Sequence, residues 1–280
     1  MSKEKRIIKH RFVDKHPVIG AIIVTLLGLV AIQLLGGALD APFAMTISAY
    51  PKEGFLGVVI VSLLALAVFK RWFYPEFEGN LRGGDCKTGF RLALIILIYW
   101  AIVFPAEIFF TPSVYGAPTI NTLALAMVAG FSEEVAFRGL PISLLMRQWR
   151  DEKKILTALI LTSVIFGIIH LSNAIAGANF GSTIVQVIGA TAMGIFFCGL
   201  YLRSGNLWIT IILHTVHDFL CFLNVSNFNE GVTVVGVNWL SFLDLACCIG
   251  LAIVGLWLIR PSKRAEIRSL WNHKWNITEI

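Results

Sequence analysis

Charge is what this sequence has least of. Only 14% of its 280 residues are Asp, Glu, Lys or Arg, against about a quarter in a soluble domain. So few charges do not cover a water-facing surface. The 57% hydrophobic share and mean hydropathy of +0.78 exclude a disordered chain as well. Cysteine is sparse. The five form no CxxC pair, which argues against a disulfide scaffold or a thiolate metal site. Four of them (Cys198, Cys221, Cys247 and Cys248) stand in apolar runs, as small buried side chains do. Several protease signatures are missing too: no HExxH, no Gly-x-Ser-x-Gly and no Gly-x-Gly-Asp. No internal repeat or low-complexity segment is visible.

What is present is apolar sequence in long runs. A bilayer-crossing helix takes about 20 mostly apolar residues. Eight runs qualify, near 17–37, 55–74, 89–109, 120–147, 154–172, 182–202, 206–224 and 238–260. The expected fold class is therefore all-α, a polytopic membrane helix bundle of eight transmembrane helices. Its organisation would be a basic tail over 1–16, one transmembrane domain over 17–260 and a tail over 261–280. The first run is too long for a signal-peptide core and reads as a retained anchor. Gly130 interrupts the fourth, which reads as a tilt or break there or, equally, as an unbroken helix with the glycine at a packing contact.

The net charge of +6 does not point to nucleic acid once the basic residues are placed. They gather in the first tail (Lys3 to Lys15), between runs two and three (Lys70 to Arg91), between four and five (Arg147 to Lys154), at Arg203, and in the last tail (Arg260 to Lys274). Lys52 alone falls on the other side, and Arg138 lies inside a run. By the positive-inside rule this predicts both termini in the cytoplasm. Trp271 and Trp275 among basic residues suggest an interfacial helix in the last tail, a solvated tail being the alternative.

An ionisable side chain near the bilayer centre costs about 2.5–3.5 kcal/mol, so each one marks a site until shown otherwise. The candidates are Glu133, Glu134 and Arg138 in the fourth run, His170 in the fifth, and His214, His217 and Asp218 in the seventh. Glu107 and Asp244 lie in the third and eighth. Glu134 and Arg138, four apart, share a helix face and can pair. Glu133 is rotated by about 100° and needs another partner. Taken alone, His170 reads first as a packed, hydrogen-bonded core imidazole, with Phe166 one turn earlier covering it. His214 and Asp218 also share a face, where the carboxylate can orient the imidazole. At about 1.5 Å per residue from the basic ends, Glu133, His170, His214 and Asp218 lie roughly 21, 24, 16 and 22 Å deep, one layer of the membrane. Carboxylate next to imidazole in such a layer suits hydrolysis of a peptide bond. Two His and one carboxylate also suit a catalytic zinc, and spacing does not separate the two.

These residues form a pattern. Glu133–Arg138 reads EExxxR, Phe166–His170 reads FxxxH and His214–Asp218 reads HxxxD, in that order on the fourth, fifth and seventh runs. This resembles the CPBP family, the type II CAAX prenyl endopeptidases and the bacteriocin-processing or Abi-type membrane proteases. The resemblance covers Gly130 to about Phe222 and implies an intramembrane endopeptidase. It implies that Glu133 activates water with His170, that Glu134 and Arg138 support that helix, and that His214 with Asp218 holds the transition state or a metal. Glu133, His170 and His214 are then the candidate zinc ligands. Asp at 218 in place of Asn leaves the oxyanion role in doubt, since an ionised carboxylate does not donate. The implied partners are a membrane-associated peptide or protein substrate and the lipid bilayer, in a bacterial cytoplasmic membrane; a leader peptide, pheromone or bacteriocin fits that setting. An ion-coupled transporter and a non-catalytic immunity or scaffold protein are the competing readings. The first predicts ion-gradient-dependent uptake, the second full protection without Glu133 and His170.

Overall fold

The computed structural model describes residues 12–47, 50–51, 54–111, 115–149, 152–224 and 236–277. Most of the basic first tail, together with Lys52 and Arg150, lies outside them. The described residues are helical apart from turns and a single bridge between Tyr115 and Asn224.

In chain order the helices are α1 (Phe12–Lys15), α2 (Pro17–Thr46), α3 (Leu56–Val68), α4 (Cys86–Ala93), α5 (Ile96–Phe110), α6 (Ile120–Glu134), α7 (Leu140–Gln148), α8 (Glu152–Ile169), α9 (Ser172–Ile175), α10 (Phe180–Ser204), α11 (Leu207–Cys221), α12 (Trp239–Leu258) and α13 (Pro261–Lys274). Two five-residue π stretches extend α3 (Phe69–Phe73) and join α6 to α7 (Val135–Gly139). Seven stretches are long and apolar enough to cross a membrane, and the eighth predicted run is the shorter apolar helix α11. The fold is a polytopic helical bundle, as the composition required. The first span is longer than its 17–37 apolar run, because the helix continues through Pro42 to Thr46.

Polar caps set the helix starts. Thr119 accepts from Thr122 N at 3.0 Å, Asn179 from Ser182 N at 3.1 Å, Asn206 from Trp208 N at 3.0 Å and Asn238 from Ser241 N at 3.1 Å. Each satisfies a backbone donor that the first helical turn leaves open. Half of the most apolar window of α6–α7 and of α10 is buried, against 22% for α2, so α6–α7 and α10 form the centre. Leu27, Leu34 and Ile253 stay exposed on the outside, which in a bilayer is the lipid-facing surface.

α11 packs on α6, and α10 packs between α8 and α12. Small residues permit both site-forming contacts. A Cβ on Gly130 would lie 2.1 Å from Thr215 Oγ1, and one on Gly167 would lie 1.9 Å from Thr191 Oγ1. This selects the packing reading of Gly130 over the break. The helix runs unbroken through it, the glycine serving close approach to α11, and the irregularity comes five residues later as the π stretch.

The C-terminal helix also differs from expectation. Trp271 and Trp275 are 1% and 2% exposed: they face protein, not headgroups or water. Trp271 Nε1 donates to Leu202 O at 3.1 Å, and Trp275 stacks on Phe77 at 4.4 Å. Lys274 Nζ donates to Arg82 O at 2.9 Å, and burial pushes its ammonium down to about 8. Aromatic bulk among basic residues marks a packed clamp here as readily as an interfacial helix.

Candidate active site

The fourth span delivers its two glutamates to different surroundings. Glu134 is fully buried. Its Oε1 accepts from Arg138 Nη1 at 2.7 Å and from His214 Nδ1 at 2.7 Å. Glu133, one position earlier, keeps 26% of its side chain exposed and lies 3.6 Å from His214 Nε2. Asp218 Oδ2 is also 3.6 Å from that nitrogen. A single imidazole therefore has one carboxylate bonded to Nδ1 and two more facing Nε2.

The intrahelical Glu134–Arg138 pair is as the spacing predicted. The orienting group of His214 is not. Asp218 stands one turn away but faces Nε2, whereas Glu134, 80 residues away in sequence, takes Nδ1. Glu134 thus does more than accompany Arg138. Aromatic rings wall the group: Arg138 lies over Phe166 at 4.0 Å, His214 stacks on Phe197 at 5.5 Å, and Phe166 meets His214 edge-on at 6.0 Å. The guanidinium gains a cation–π contact in place of water.

His170 stands where α8 ends, its Nδ1 2.8 Å from Phe166 O. A carbonyl only accepts, so Nδ1 carries the proton and Nε2 is left as the acceptor. Phe166 meets the ring edge-on at 5.0 Å, the covering role foreseen for it. His170, Glu133, His214 and Asp218 all line one cavity of about 850 Å³, so the three motif segments converge on a common space.

The same cavity takes in the remaining ionisable candidates, Glu107, His217 and Asp244. Asp244 accepts from Tyr99 OH at 2.5 Å, Glu107 accepts from Tyr115 OH, and His217 packs on Tyr99 and Phe104. All of them border the cavity beyond the His214 group. Gln33, and Asn173 bonded to Gln186 at 2.9 Å, line it too. Those amides escaped the sequence reading, although a lone Gln within an apolar run is itself a polar outlier.

Among the described residues no group of three or more His, Cys, Asp or Glu side chains is arranged to hold a metal ion. Glu133, His170 and His214 share the cavity without forming a ligand set.

Residues 115–220 match the model of a family described as type II CAAX prenyl endopeptidase, Rce1-like. The matched stretch begins at the Tyr115 bridge, spans α6 to α11, and includes every residue of the three motifs. Within that stretch the chain is similar to the type II CAAX endopeptidases, which supports a CPBP-type intramembrane protease. No curated protein and no solved structure matches the chain. The matched segment carries the motif residues that line the cavity, while α2, α5 and α12 complete its walls from outside the match.

Proposed function

We propose that this protein is a CPBP-type intramembrane endopeptidase that hydrolyses a peptide bond of a membrane-associated peptide or protein, with Glu133 as the base. The observation that carries the reading is the placement of a cavity-facing Glu133 carboxylate 3.6 Å from an imidazole whose other nitrogen is already fixed by Glu134. Glu133 takes a proton from a water that His170 Nε2 helps to hold. The hydroxide attacks the scissile carbonyl, and the proton passes to the leaving amine. His214 stands opposite and, as the doubly protonated imidazolium, donates from Nε2 to the developing oxyanion. Asp218, an acceptor at the same nitrogen, holds the ring toward the cavity. Arg138 and Phe166 fix Glu134 and His170 in turn. None of these steps requires a metal.

The family description supports a prenylated CAAX-type carboxyl terminus as the first probe. The lipid-facing surface and the location proposed from the sequence, a bacterial cytoplasmic membrane, suit a substrate anchored in the bilayer. The test uses detergent-solubilised protein and an internally quenched peptide ending in a prenylated CAAX sequence. Glu133→Gln is expected to lower kcat by about 10²-fold or more with its melting temperature retained, and chelator is expected to leave wild-type cleavage unchanged. Wild-type rates in a folded Glu133→Gln protein reject the base assignment.

A further inference from the structure

The motifs place Glu133 and Glu134 on α6, His214 and Asp218 on α11 and His170 at the end of α8, but do not say what holds α6 and α11 in register. Between Glu134 and His214 the register matters. Their hydrogen bond is 2.7 Å long, and a displacement of about 1 Å at a catalytic group costs on the order of 10²-fold in rate. Gly130 and Thr215 set how closely the helices approach, but close approach alone leaves sliding along the axis open.

A single side chain outside the matched family segment closes that freedom. Asn80 lies in the connection between α3 and α4 and is 2% exposed. Its Nδ2 lies 2.6 Å from Gly139 O, 2.8 Å from Ser143 Oγ and 2.9 Å from Tyr201 OH. Gly139 ends the π stretch that follows Glu134, and Ser143 lies on α7, which continues the same span. Tyr201 belongs to α10. The backbone carbonyl of Asn80 accepts from Leu207 N at 2.9 Å, and Leu207 is the first residue of α11. One residue thus bonds the glutamate-bearing span with its side chain and the start of the histidine-bearing helix with its main chain.

We infer that Asn80 is a positioning residue that sets the axial register of Glu133 and Glu134 against His214 and Asp218. From Leu207 to His214 is about 10 Å of helix, and from Glu134 to Gly139 is five residues. A slip at the clamp therefore reaches the reacting groups through less than two turns of helix on each side. The chemistry selects asparagine. Gly139 O accepts only, so its partner must donate, and the two amide protons also reach the Ser143 and Tyr201 hydroxyls, which are 3.2 Å from each other. An isosteric carboxylate would set an acceptor against an acceptor.

The inference rests on the protease reading, and its test separates the two. For the quenched prenylated peptide, Asn80→Asp is expected to lower kcat by tenfold or more with KM within twofold. The assay is run well below the melting temperature of the variant. The milder Tyr201→Phe, which leaves the Gly139 bond in place, lowers kcat by a smaller factor and covers the case in which Asn80→Asp does not fold. Unchanged kcat in either folded variant, or a change confined to KM, overturns the assignment. A second readout needs no cleavage. The Nδ1 proton of His214, held by Glu134, gives a low-field resonance in histidine-labelled protein that Asn80→Asp shifts or broadens. An unaltered resonance also overturns the role of Asn80, whereas wild-type rates in Glu133→Gln overturn the protease mechanism instead.

Discussion

Glu133 and Glu134 are neighbours in the chain with opposite demands on their surroundings. Glu134 is the only ionic partner of Arg138 among the described residues, and Arg138 Nε and Nη2 find no other hydrogen-bond acceptor there. Removing one member of a buried pair strands the other charge at a cost of about 3–5 kcal/mol. Glu134→Gln is therefore expected to lower the melting temperature and to release His214 from its fixed orientation. Glu133→Gln, at a partly open position, is expected to lose activity without loss of stability. Thermal melts of the two variants in the same detergent check this, and equal melting temperatures contradict it. Sequence spacing made the Glu134–Arg138 pair legible, since residues four apart on a helix are neighbours. The bond from Glu134 to His214 was not legible, because no local rule joins positions 80 residues apart. The nearest carboxylate in the chain, Asp218, was the reasonable orienting group on spacing alone, and it faces the other ring nitrogen.

At the scale of the element, the decisive contact is α6 against α11. Glycine in an apolar span signals either a break or a close approach, and the sequence does not distinguish them without the partner helix. The 2.1 Å that would separate a Cβ at position 130 from Thr215 Oγ1 decides for close approach. Gly130→Val is expected to push the helices apart, with loss of the Glu133–His214 proximity and a drop in cleavage of tenfold or more. Pairing it with Thr215→Ala, which frees that space in part, is expected to recover activity. A Gly130→Val protein with wild-type kcat contradicts the packing argument. α13 teaches the same lesson at a terminus. Its Trp and Lys residues fit an amphipathic surface helix in sequence, and only the cage of Phe77, Tyr74 and Leu202 shows that they are buried.

The whole molecule shows two faces joined by the spans. On one, Arg147 pairs with Glu76 at 3.2 Å, Asp85 N donates to Ser204 O at 2.8 Å, and Lys274 reaches Arg82 O. The connections that carry the clustered basic residues therefore lie together with α13. On the other, Tyr115 bridges Asn224 and Gly116 N donates to Leu223 O at 2.9 Å. α11 is capped by Asn206, which bonds Leu81 O, and ends beside Asn224, so it runs from the first face to the second. Its 15 residues span about 22 Å, short of the roughly 30 Å hydrocarbon core. Placing His214 and Asp218 on this short helix lets water and polar residues approach them from the Tyr115 face.

Sequence alone supplied this two-sided arrangement through its charge bias, because the rule depends only on which connections share a side. The rule also predicts which face is cytoplasmic, and Cys86 reports it. Cys86 is exposed at the start of α4 on the basic face, whereas Cys198 and Cys248 are buried. With the other four cysteines replaced by alanine, a membrane-impermeant maleimide is expected to label Cys86 in inverted membrane vesicles and not in intact cells. Labelling from outside intact cells would reverse the orientation and move the short α11 approach to the opposite side of the membrane. It would leave the geometry around His214 as it stands, because that geometry depends on helix packing and not on which compartment each face meets.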